Sequence, residues 1–382
     1  MKNTICKYMI QKLFPKNIVF NNYSELPENT VNIVVKDNRF YSEVLLNGSM
    51  GLGESYMKNY WDSDNIPLFI ESILKSDTIK KIYISQKKIS TFSFSKIDFN
   101  SLEKSETVVK SHYEASNALY VDMLGPTMSY TCAYWDKGAT TLDDAQNDKL
   151  DMICRKLHLK ETDTLLDIGC GWGSLVIYAA KKYKCKVVGV NLSSQHISFA
   201  SEWAKRENLE DRVSFINCDY RNIQEYTFEK YDKIVSVGFF EHVGKKYMHE
   251  YFNIVKNVLK HDGISVLHTI TTSDRSDAPT DKFIDKYIFP GGYLHHMDNI
   301  MSEISRQGLA LLHVHEFGLS YAKTLIEWNK NCQKSDVFKS QSREFQNMWT
   351  YYLLSCAGAF LSRNIFLHQI VFSKKSMEYT YV

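Results

Sequence analysis

Three glycines alternate with other residues in the segment LLDIGCGWGS, residues 165–174, directly after an apolar run. Glycine adopts backbone conformations that other residues avoid, so a loop of this kind lets a ligand come close to the main chain. The loop contains no Lys or Arg, and no Lys-Ser or Lys-Thr pair closes it as in a P-loop. The spacing therefore predicts a ligand site that is not built to hold phosphate groups.

The residues around this loop help to distinguish between the ligands that glycine loops bind. A dinucleotide fold has the spacing GxGxxG and an acidic residue about 20 positions later. Here the third glycine comes one residue earlier, and the next predicted strand is followed by Asn191. Asp167 and Asp219 give the site an acidic character, which suits the sulfonium and ammonium groups of S-adenosylmethionine. We favour this ligand over the alternative that the loop merely joins a strand to a helix.

Short β-branched runs alternate with longer helical patterns from about residue 162 onward. Strands and helices that alternate at this repeat length predict an α/β fold with a parallel, doubly wound sheet. The predicted helices are residues 174–183, 193–208 and 246–260. The predicted strands are residues 164–168, 186–190, 213–217, 233–237, 264–269 and, near the end of the chain, 368–373.

Polar residues or glycines lie at the ends of the first five predicted strands. In an open α/β sheet ligands bind beyond the carboxyl ends of the strands, so we expect these residues at one edge. In strand order, the residues at these strand ends, including their apolar neighbours, are Asp167, Gly169, Gly171 and Gly173; Asn191, Leu192 and Ser193; Cys218, Asp219 and Tyr220; Phe239, Phe240, Glu241 and His242; and His268, Thr269 and Ile270. Their coincidence is stronger evidence for a site than any single motif.

Size and composition exclude several classes of protein. The 382 residues are too many for one average domain, and the net charge of +2 is too balanced for a general nucleic-acid-binding protein. The eight cysteines form no CxxC pair, so no zinc ribbon or other metal site is expected, and scattered thiols indicate a reducing compartment. No apolar run is long enough to span a membrane, and lysines interrupt the N-terminal segment, so we expect a cytoplasmic protein.

Longer segments of the chain resemble a known family, the cyclopropane-fatty-acyl-phospholipid synthases, which use S-adenosylmethionine. LLDIGCGWG alone is typical of methyltransferases in general, whereas SYTCAYW, FFEHVG, YIFPGG and CAGAF are specific to this family. The resemblance covers nearly the whole chain, in segments 48–57, 112–120, 128–135, 165–173, 219–222, 235–244, 267–270, 286–292 and 350–360.

The resemblance implies a fold and a reaction. The fold is a Rossmann-like methyltransferase domain over residues 106–382, with a seven-stranded, mostly parallel sheet, behind a small, mainly α domain over residues 1–105. The reaction adds a methylene group from S-adenosylmethionine to a cis double bond in an unsaturated phospholipid acyl chain, which gives a cyclopropane fatty acid. A bound bicarbonate ion removes a proton from the intermediate carbocation.

The resemblance also implies which residues act on the lipid. The bicarbonate is expected at Cys132, Glu241, His268, Tyr321 and the backbone of Ile270. Glu241 would orient the ion by sharing a proton, because two like charges in contact repel each other. A satisfied core histidine and a small buried thiol are the alternatives for His268 and Cys132.

Two further sets of residues belong to the same expectation. Cys356 in the CAGAF segment is a catalytic candidate, although the mechanism needs no nucleophile and we favour a structural role for it. Desolvated aromatic rings stabilise a cation by roughly 1–2 kcal/mol each. The candidates are Phe239, Tyr287, Phe289 and Tyr321.

For the cofactor, the resemblance implies three groups of contacts. Tyr130 and Thr131 are expected at the methionine end, and Asp219 and Tyr220 beside the adenine. The loop and the ribose side are formed by Asp167, Gly169, Cys170, Gly171, Trp172, Gly173, Asn191, Leu192 and His196. The family usually has Thr where this chain has Asn191 and Gln where it has His196. It also usually has Asp and Gly where this chain has Glu114 and Ser116. Asn and His still form hydrogen bonds.

Alternatives to this function and the partners of the N-terminal domain stay open. A related methyltransferase would make a methyl-branched lipid or methylate a small amine, and a non-catalytic protein would only bind a lipid or a nucleoside. The basic residues Lys80, Lys81, Lys87 and Lys88 are either a membrane-docking surface or a solvated charge run. The resemblance implies peripheral association with the inner face of the membrane and a homodimer, which the N-terminal domain would serve.

Overall fold

The computed structural model describes residues 2–22, 24–77, 117–227, 230–275 and 280–380. The predicted domain boundary at residues 105 and 106 lies outside the described residues. So do the basic residues Lys80, Lys81, Lys87 and Lys88 and the two family departures at Glu114 and Ser116.

The elements are numbered here in chain order. The helices are α1 (Lys2–Leu13), α2 (Arg39–Met57), α3 (Ile66–Lys75), α4 (Asn117–Leu124), α5 (Leu142–Lys156), α6 (Ser174–Tyr183), α7 (Ser194–Arg206), α8 (Ile223–Tyr226), α9 (Met248–Val258), α10 (Lys282–Tyr287), α11 (Met297–Arg306), α12 (Leu319–Lys334), α13 (Asp336–Lys339) and α14 (Arg343–Leu361). The strands are β1 (Ile18–Phe20), β2 (Val31–Val35), β3 (Trp61–Ser63), β4 (Thr164–Ile168), β5 (Lys186–Asn191), β6 (Val213–Asn217), β7 (Tyr231–Val237), β8 (Leu259–Thr272), β9 (His295–His296), β10 (Ala310–Glu316) and β11 (Ile365–Ser373). Short 3₁₀ helices cover Tyr220–Asn222, Phe240–His242 and Lys245–Tyr247.

The described residues form two compact units, and the first is discontinuous in sequence. It consists of residues 2–22, 24–77, 280–290 and 322–365. Strand β2 lies in the middle of its small sheet, parallel to β1 and antiparallel to β3. The sequence predicts a single domain boundary, whereas this unit also includes two segments from much later in the chain.

The core of the first unit depends on those later segments. Trp61 is fully buried and packs edge-on against Phe69 and Tyr351, with ring centroids 5.3 and 6.3 Å apart. Phe283 packs against Tyr351 at 4.9 Å. A Cβ at Gly53 on α2 would lie 2.2 Å from the Phe283 ring, so only glycine permits this approach. The N-terminal residues therefore share one aromatic core with α10 and α14.

The second unit is built on an eight-stranded sheet. Seven strands follow the order β10-β11-β8-β7-β4-β5-β6, and the short β9 pairs with β8. The pairs β5–β6, β4–β5, β4–β7 and β7–β8 are parallel, and β10–β11 is antiparallel. The six strands predicted from the sequence are all present, which confirms the α/β fold with a mostly parallel sheet. Strand β10 was not predicted.

Strand β4 lies at the centre of this sheet and is covered on both faces. Leu165 contributes to one apolar cluster, and Leu166 and Ile168 contribute to the other, as expected for a parallel sheet between helices. The chain proceeds from β4 to β5 and β6 on one side and returns through β7 and β8 on the other. The strand order reverses beside β4, and such a switch point is where α/β folds bind ligands.

Candidate active site

The glycine loop after β4 turns the chain through left-handed residues. Gly169, Gly171 and Gly173 have φ values of +81°, +54° and +89°, a region that favours glycine. The Gly169 N–H donates a 2.9 Å hydrogen bond to the Val190 carbonyl of β5. A Cβ at Gly169 would lie 2.5 Å from the Phe239 ring, whereas a Cβ at Gly171 would meet no atom within 4 Å. Gly169 thus permits close packing, and Gly171 leaves room beside the loop.

A cavity within the second unit opens at this loop. It is lined by Met128, Ser129, Tyr130, Thr131, Lys149, Leu150, Asp167, Gly169, Cys170, Gly171, Trp172, Ser174, Leu175, His196, Val237 and Gly238. Eight of the predicted cofactor residues are among them, which are Tyr130, Thr131, Asp167, Gly169, Cys170, Gly171, Trp172 and His196. Five others, Gly173, Asn191, Leu192, Asp219 and Tyr220, do not line this cavity.

A buried lysine and a buried aspartate lie at the cavity wall. Lys149 of α5 and Asp167 of β4 are each only 2% exposed. Lys149 Nζ donates a 2.9 Å hydrogen bond to Thr131 Oγ1, and burial lowers the pKa of Lys149 to about 8. Burial raises the pKa of Asp167 to about 7, although the Lys149 charge acts in the opposite direction. Asp167 Oδ1 is buried without a hydrogen-bond partner, so one carboxylate oxygen is left to receive a donor from a ligand.

Three aromatic rings in tilted contact and a pair of polar side chains form the predicted ribose side. The rings of Tyr120 and Trp172 lie 4.8 Å apart, and those of Trp172 and His196 lie 4.1 Å apart. Asn191 Nδ2 and His196 Nδ1 are 3.1 Å apart, and the Asn191 Oδ1 accepts the Leu192 N–H. Burial lowers the pKa of His196 to about 4, so this histidine is neutral at physiological pH.

The predicted adenine side has an aspartate that is already paired. Asp219 accepts bonds of 2.8 Å from Arg221 Nε and 2.6 Å from Arg221 Nη2. Both side chains are almost completely buried, and the Tyr220 ring packs edge-on against Phe239 at 5.4 Å. The Asp219 carboxylate therefore fixes the turn after β6, a role that the sequence did not suggest.

Glu241 follows β7 and is joined to the end of β8. Its Oε1 accepts a 2.6 Å hydrogen bond from the Ile270 N–H. Its Oε2 is buried and has no hydrogen-bond partner. Burial raises the pKa of Glu241 to about 7, which the Ile270 N–H partly offsets. The structure thus brings two predicted catalytic residues together and leaves one oxygen of the carboxyl group available.

His268 lies on β8, opposite Val237 of β7 in the parallel register. Its Nδ1 is 3.1 Å from Gln369 Nε2, and its Nε2 is buried without a partner. The Phe317 ring lies edge-on to the imidazole at 5.7 Å. Burial, with smaller contributions from two lysine charges, holds the pKa of His268 well below its usual value.

The other predicted catalytic residues occupy different places. Cys132 is fully buried in the second unit, where its thiol donates to the Ala133 carbonyl at 3.1 Å. Tyr321 lies in the first turn of α12, and its N–H donates to the Gly318 carbonyl. Cys356 belongs to α14 of the first unit, and burial raises the pKa of its thiol to about 12. A thiol of this kind is protonated at neutral pH, which agrees with a structural role.

The aromatic candidates are also divided between the units. Tyr287 and Phe289 lie in the first unit, where the Tyr287 hydroxyl donates to Glu54 Oε1 at 2.9 Å and the Phe289 ring packs against Tyr352 at 5.8 Å. Phe239 and Tyr321 lie in the second unit.

Sequence reasoning missed Lys149 and Gln369. Both are buried polar residues that contact predicted site residues, Thr131 and His268 respectively. Lys149 is in a helix with several charged neighbours, and only its place on the apolar face of α5 distinguishes it. Gln369 interrupts the apolar run of the last strand, and this was the available signal.

Comparison with known proteins shows the family of this chain. Residues 100–370 match the family model described as mycolic acid cyclopropane synthetase. The chain is 40% identical over 345 residues to the cyclopropane-fatty-acyl-phospholipid synthase of Escherichia coli (strain K12), covering 90% of this chain and 87% of that protein.

Two solved structures show the same similarity at the level of coordinates. The cyclopropane synthase MmaA2 from Mycobacterium tuberculosis has a TM-score of 0.65 at 30% identity, covering 70% of this chain and 98% of that one. Mycolic acid cyclopropane synthase CmaA1 complexed with SAH and CTAB has a TM-score of 0.64 at 31% identity, covering 70% and 97%. Among the described residues, no helix has the length and apolar character needed to cross a membrane.

Proposed function

We propose, because the chain belongs to the mycolic acid cyclopropane synthetase family, that this enzyme adds a methylene group to the cis double bond of unsaturated phospholipid acyl chains. The methyl donor is S-adenosylmethionine, and the product is a cyclopropane fatty acid. The observation that carries the proposal is the pair of buried, unpartnered atoms Glu241 Oε2 and His268 Nε2 at the rim that also carries the glycine loop. Buried polar atoms without partners are rare in native folds, and a catalytic role or a bound ion is among the explanations for them.

The residues at the cavity fit the proposed methyl donor. Asp167 Oδ1 lacks a partner and offers a negative charge to an ammonium group, while the space beside Gly171 admits a ligand against the backbone. The neutral ring of His196 and the indole of Trp172 add an aromatic surface for an uncharged sugar or base. The loop also lacks the basic residues that two phosphates would require.

An alkene needs a donor held close and a site without water. S-adenosylmethionine supplies an electrophilic methyl carbon on a sulfonium. The alkene attacks this carbon, the C–S bond breaks, and the resulting cation closes to a ring after one methyl proton is lost. The protein contributes orientation, which accounts for several kcal/mol of such barriers, and excludes the water that would trap a cation as an alcohol. The ring of Phe239 borders the glycine loop and would stabilise positive charge without reacting.

The leaving proton needs an acceptor, and we assign this role to bicarbonate held at Glu241 and His268. Bicarbonate has one O–H and anionic oxygens, so it matches one unpartnered acceptor and one unpartnered donor. Glu241 Oε2 would accept the O–H, and His268 Nε2 would donate to the anion. The proximity of the buried Lys149 charge also favours an anion in this part of the second unit. Cys132 and Tyr321 complete the proposed set, and the Ile270 backbone acts in it by holding Glu241 through its N–H.

The decisive experiment is incubation of the purified protein with labelled S-adenosylmethionine and oleoyl phospholipid vesicles, with bicarbonate present or removed. Fatty-acid analysis should give a product one CH₂ heavier with cyclopropyl proton resonances. A methyl-branched product, or labelled amine with unchanged lipid, would establish the related methyltransferase functions instead. Failure to consume the donor in any arm would exclude the enzyme function proposed here.

We further propose that helix α1 docks on an anionic membrane surface. Ile5, Tyr8 and Met9 recur at helical spacing and are 58%, 59% and 43% exposed. Lys7 and Lys12 lie on the same helix, which contains no Asp or Glu. Apolar side chains beside lysines suit an anionic lipid surface, where each basic side chain adds about 1 kcal/mol.

Vesicle flotation tests this docking surface. The double variant Ile5→Asp with Met9→Asp should lose binding to anionic vesicles. The matched control is the double variant Leu311→Asp with Val314→Asp on β10, which adds the same two negative charges at exposed apolar positions and should float normally. Equal flotation of the α1 variant and the control would remove α1 from the proposal. A homodimer stays a prediction, which sedimentation equilibrium tests.

A further inference from the structure

Gln369 lies directly behind the proposed anion site. It belongs to β11, which is the neighbour of β8 in the sheet, and its side chain is completely buried. The side-chain amide donates from Nε2 to His268 Nδ1 at 3.1 Å. A neutral imidazole has one donor and one acceptor nitrogen, and the hydrogen bond at one nitrogen determines the state of the other. Because His268 Nδ1 accepts, the proton of the neutral ring is on Nε2.

Charged groups of α5 act on the same histidine. Lys149 and Lys156 lie two helical turns apart, so they point to the same side of α5, and both are buried. Lys156 Nζ is 3.0 Å from His315 Nδ1, and His315 is the partner of Gln369 in the β10–β11 register. Both lysine charges disfavour a positive charge on His268.

The groups around His268 therefore do not favour its protonation. On the helix side are Lys149 and Lys156, and across the sheet are Gln369 and His315. Two buried acidic groups belong to the same part of the second unit: Asp167, which interacts with Lys149, and Glu241, whose Oε1 is already bound to the Ile270 N–H. A neutral histidine with its proton on Nε2 offers a hydrogen-bond donor at the unpartnered nitrogen.

We propose that Gln369 is a positioning residue that fixes His268 as the Nε2–H tautomer, so that the neutral ring donates a hydrogen bond to the bound bicarbonate and does not itself take the substrate proton. This inference rests on the proposed function for the identity of the anion. The proton from the methyl group goes to bicarbonate, which becomes carbonic acid, and the protonation state of His268 is unchanged through the reaction.

The first test reads the tautomer in the unaltered protein. Nitrogen-15 NMR of histidine-labelled enzyme, with His268 assigned by its loss in His268→Asn, should show a protonated Nε2 and an unprotonated Nδ1. The His268 signals should stay the same from about pH 6 to 8, because burial of the ring disfavours its protonated form. A protonated Nδ1, or titration within this range, would overturn the inference.

The second test separates bicarbonate from the methyl donor. In Gln369→Leu the tautomer is no longer fixed, so KM for bicarbonate should rise about tenfold, the usual cost of losing a supporting hydrogen bond. KM for S-adenosylmethionine should stay unchanged. Gln369→Glu keeps the size, but its carboxylate accepts a hydrogen bond from an Nδ1–H and favours the opposite tautomer or the protonated ring. It should therefore impair bicarbonate use more than Leu does and make the rate pH-dependent.

Val371→Thr is the matched control, because it keeps the side-chain shape but buries a hydroxyl two residues along the same strand, so it perturbs the strand without removing the bond to His268. It should leave both KM values unchanged. If the two Gln369 variants fold and retain the bicarbonate KM of the wild type, Gln369 does not position the anion site. If wild-type enzyme makes cyclopropane without bicarbonate, the proposed anion fails, and the NMR experiment still decides the tautomer.

Discussion

Glu241 Oε1 accepts a 2.6 Å hydrogen bond from the Ile270 N–H, so the 3₁₀ helix after β7 is joined to the end of β8. This bond occupies one carboxyl oxygen and leaves the other buried and unpartnered. One oxygen of the Glu241 carboxyl group therefore holds the end of β8, and the other is available to a ligand. A substitution that keeps the first oxygen and changes the second therefore reports on chemistry with little effect on folding.

We predict that Glu241→Gln lowers kcat about 100-fold, in the range found when one positioned proton-transfer or electrostatic group is lost. The amide oxygen still accepts the Ile270 N–H, so the melting temperature should change little. The rate is measured as transfer of labelled methyl to oleoyl vesicles, and donor affinity by calorimetry. Glu316→Gln is the control, because Glu316 makes the same kind of bond to the Gly318 N–H. A variant with wild-type kcat would exclude Glu241 from the chemistry.

Gly169→Ala and Gly171→Ala should have different effects although they are two residues apart. Both have positive φ, which costs a non-glycine residue about 1–2 kcal/mol. At Gly169 the new Cβ would also collide with Phe239, so this variant should lose considerably more stability. At Gly171 the Cβ enters open space, so the fold should persist while affinity for S-adenosylmethionine falls. Urea denaturation and calorimetry measure the two effects, and equal destabilisation would contradict the difference.

The stability of the ligand-free protein should depend on pH through Asp167. The pKa of Asp167 is about 7 in the folded protein, against 3.8 for the same group in an unfolded chain. Between these values the unfolded chain loses a proton that the folded protein keeps, so this group's stabilising contribution is lost as pH rises from about 4 to about 7. Asp167→Asn removes that dependence. The free energy of unfolding of the variant, relative to wild type, should therefore rise over this range.

A second aspartate provides a control of opposite sign. Burial raises the pKa of Asp232, but hydrogen bonds from Lys260 and Thr164 outweigh it and the net pKa is lowered. Its contribution to stability is therefore present at high pH and lost as pH falls. Asp232→Asn should lose stability relative to wild type as pH rises. Parallel trends for the two variants in urea titrations would show that at least one of the two carboxyl groups lacks the assigned pKa shift.

Lys149 and Thr131 should act as one unit in binding S-adenosylmethionine. Lys149→Met removes the hydrogen bond to Thr131 Oγ1 and should raise KM for S-adenosylmethionine about tenfold, since a hydrogen bond from a charged group is worth about 1.5–3 kcal/mol. Thr131→Val should have a similar effect. In the double variant the effects should not add, because both remove the same contact. Strict additivity in a double-mutant cycle would show that the contact carries no energy.

The sequence predicted the central sheet well because its strands are buried on both faces and contain continuous apolar runs. Strand β10 lacks this signal, since His313, His315 and Glu316 interrupt its apolar residues and none of its residues is fully buried. The strand-end rule pointed to Glu241 and His268 as candidates, because Glu241 follows β7 and His268 lies toward the carboxyl end of β8. It could not identify Gln369, which reaches His268 only because β11 pairs beside β8.

Buried polar residues on helices were a second feature that the sequence did not predict. Lys149 and Lys156 belong to a helix with charged residues throughout, and the sequence alone does not distinguish a lysine that faces the sheet from one that faces solvent. Asp219 shows the converse, because its position after a strand indicated ligand contact while the structure pairs it with Arg221 two residues later.

The discontinuous first unit has a consequence for synthesis on the ribosome. Trp61 emerges early, whereas Tyr351, which packs against it, is translated almost 300 residues later. At about 5–20 residues per second the delay is roughly 15–60 seconds. During this interval the N-terminal helices expose the aromatic surface that α14 later covers, so the nascent chain depends on chaperones or on low local concentration to avoid aggregation.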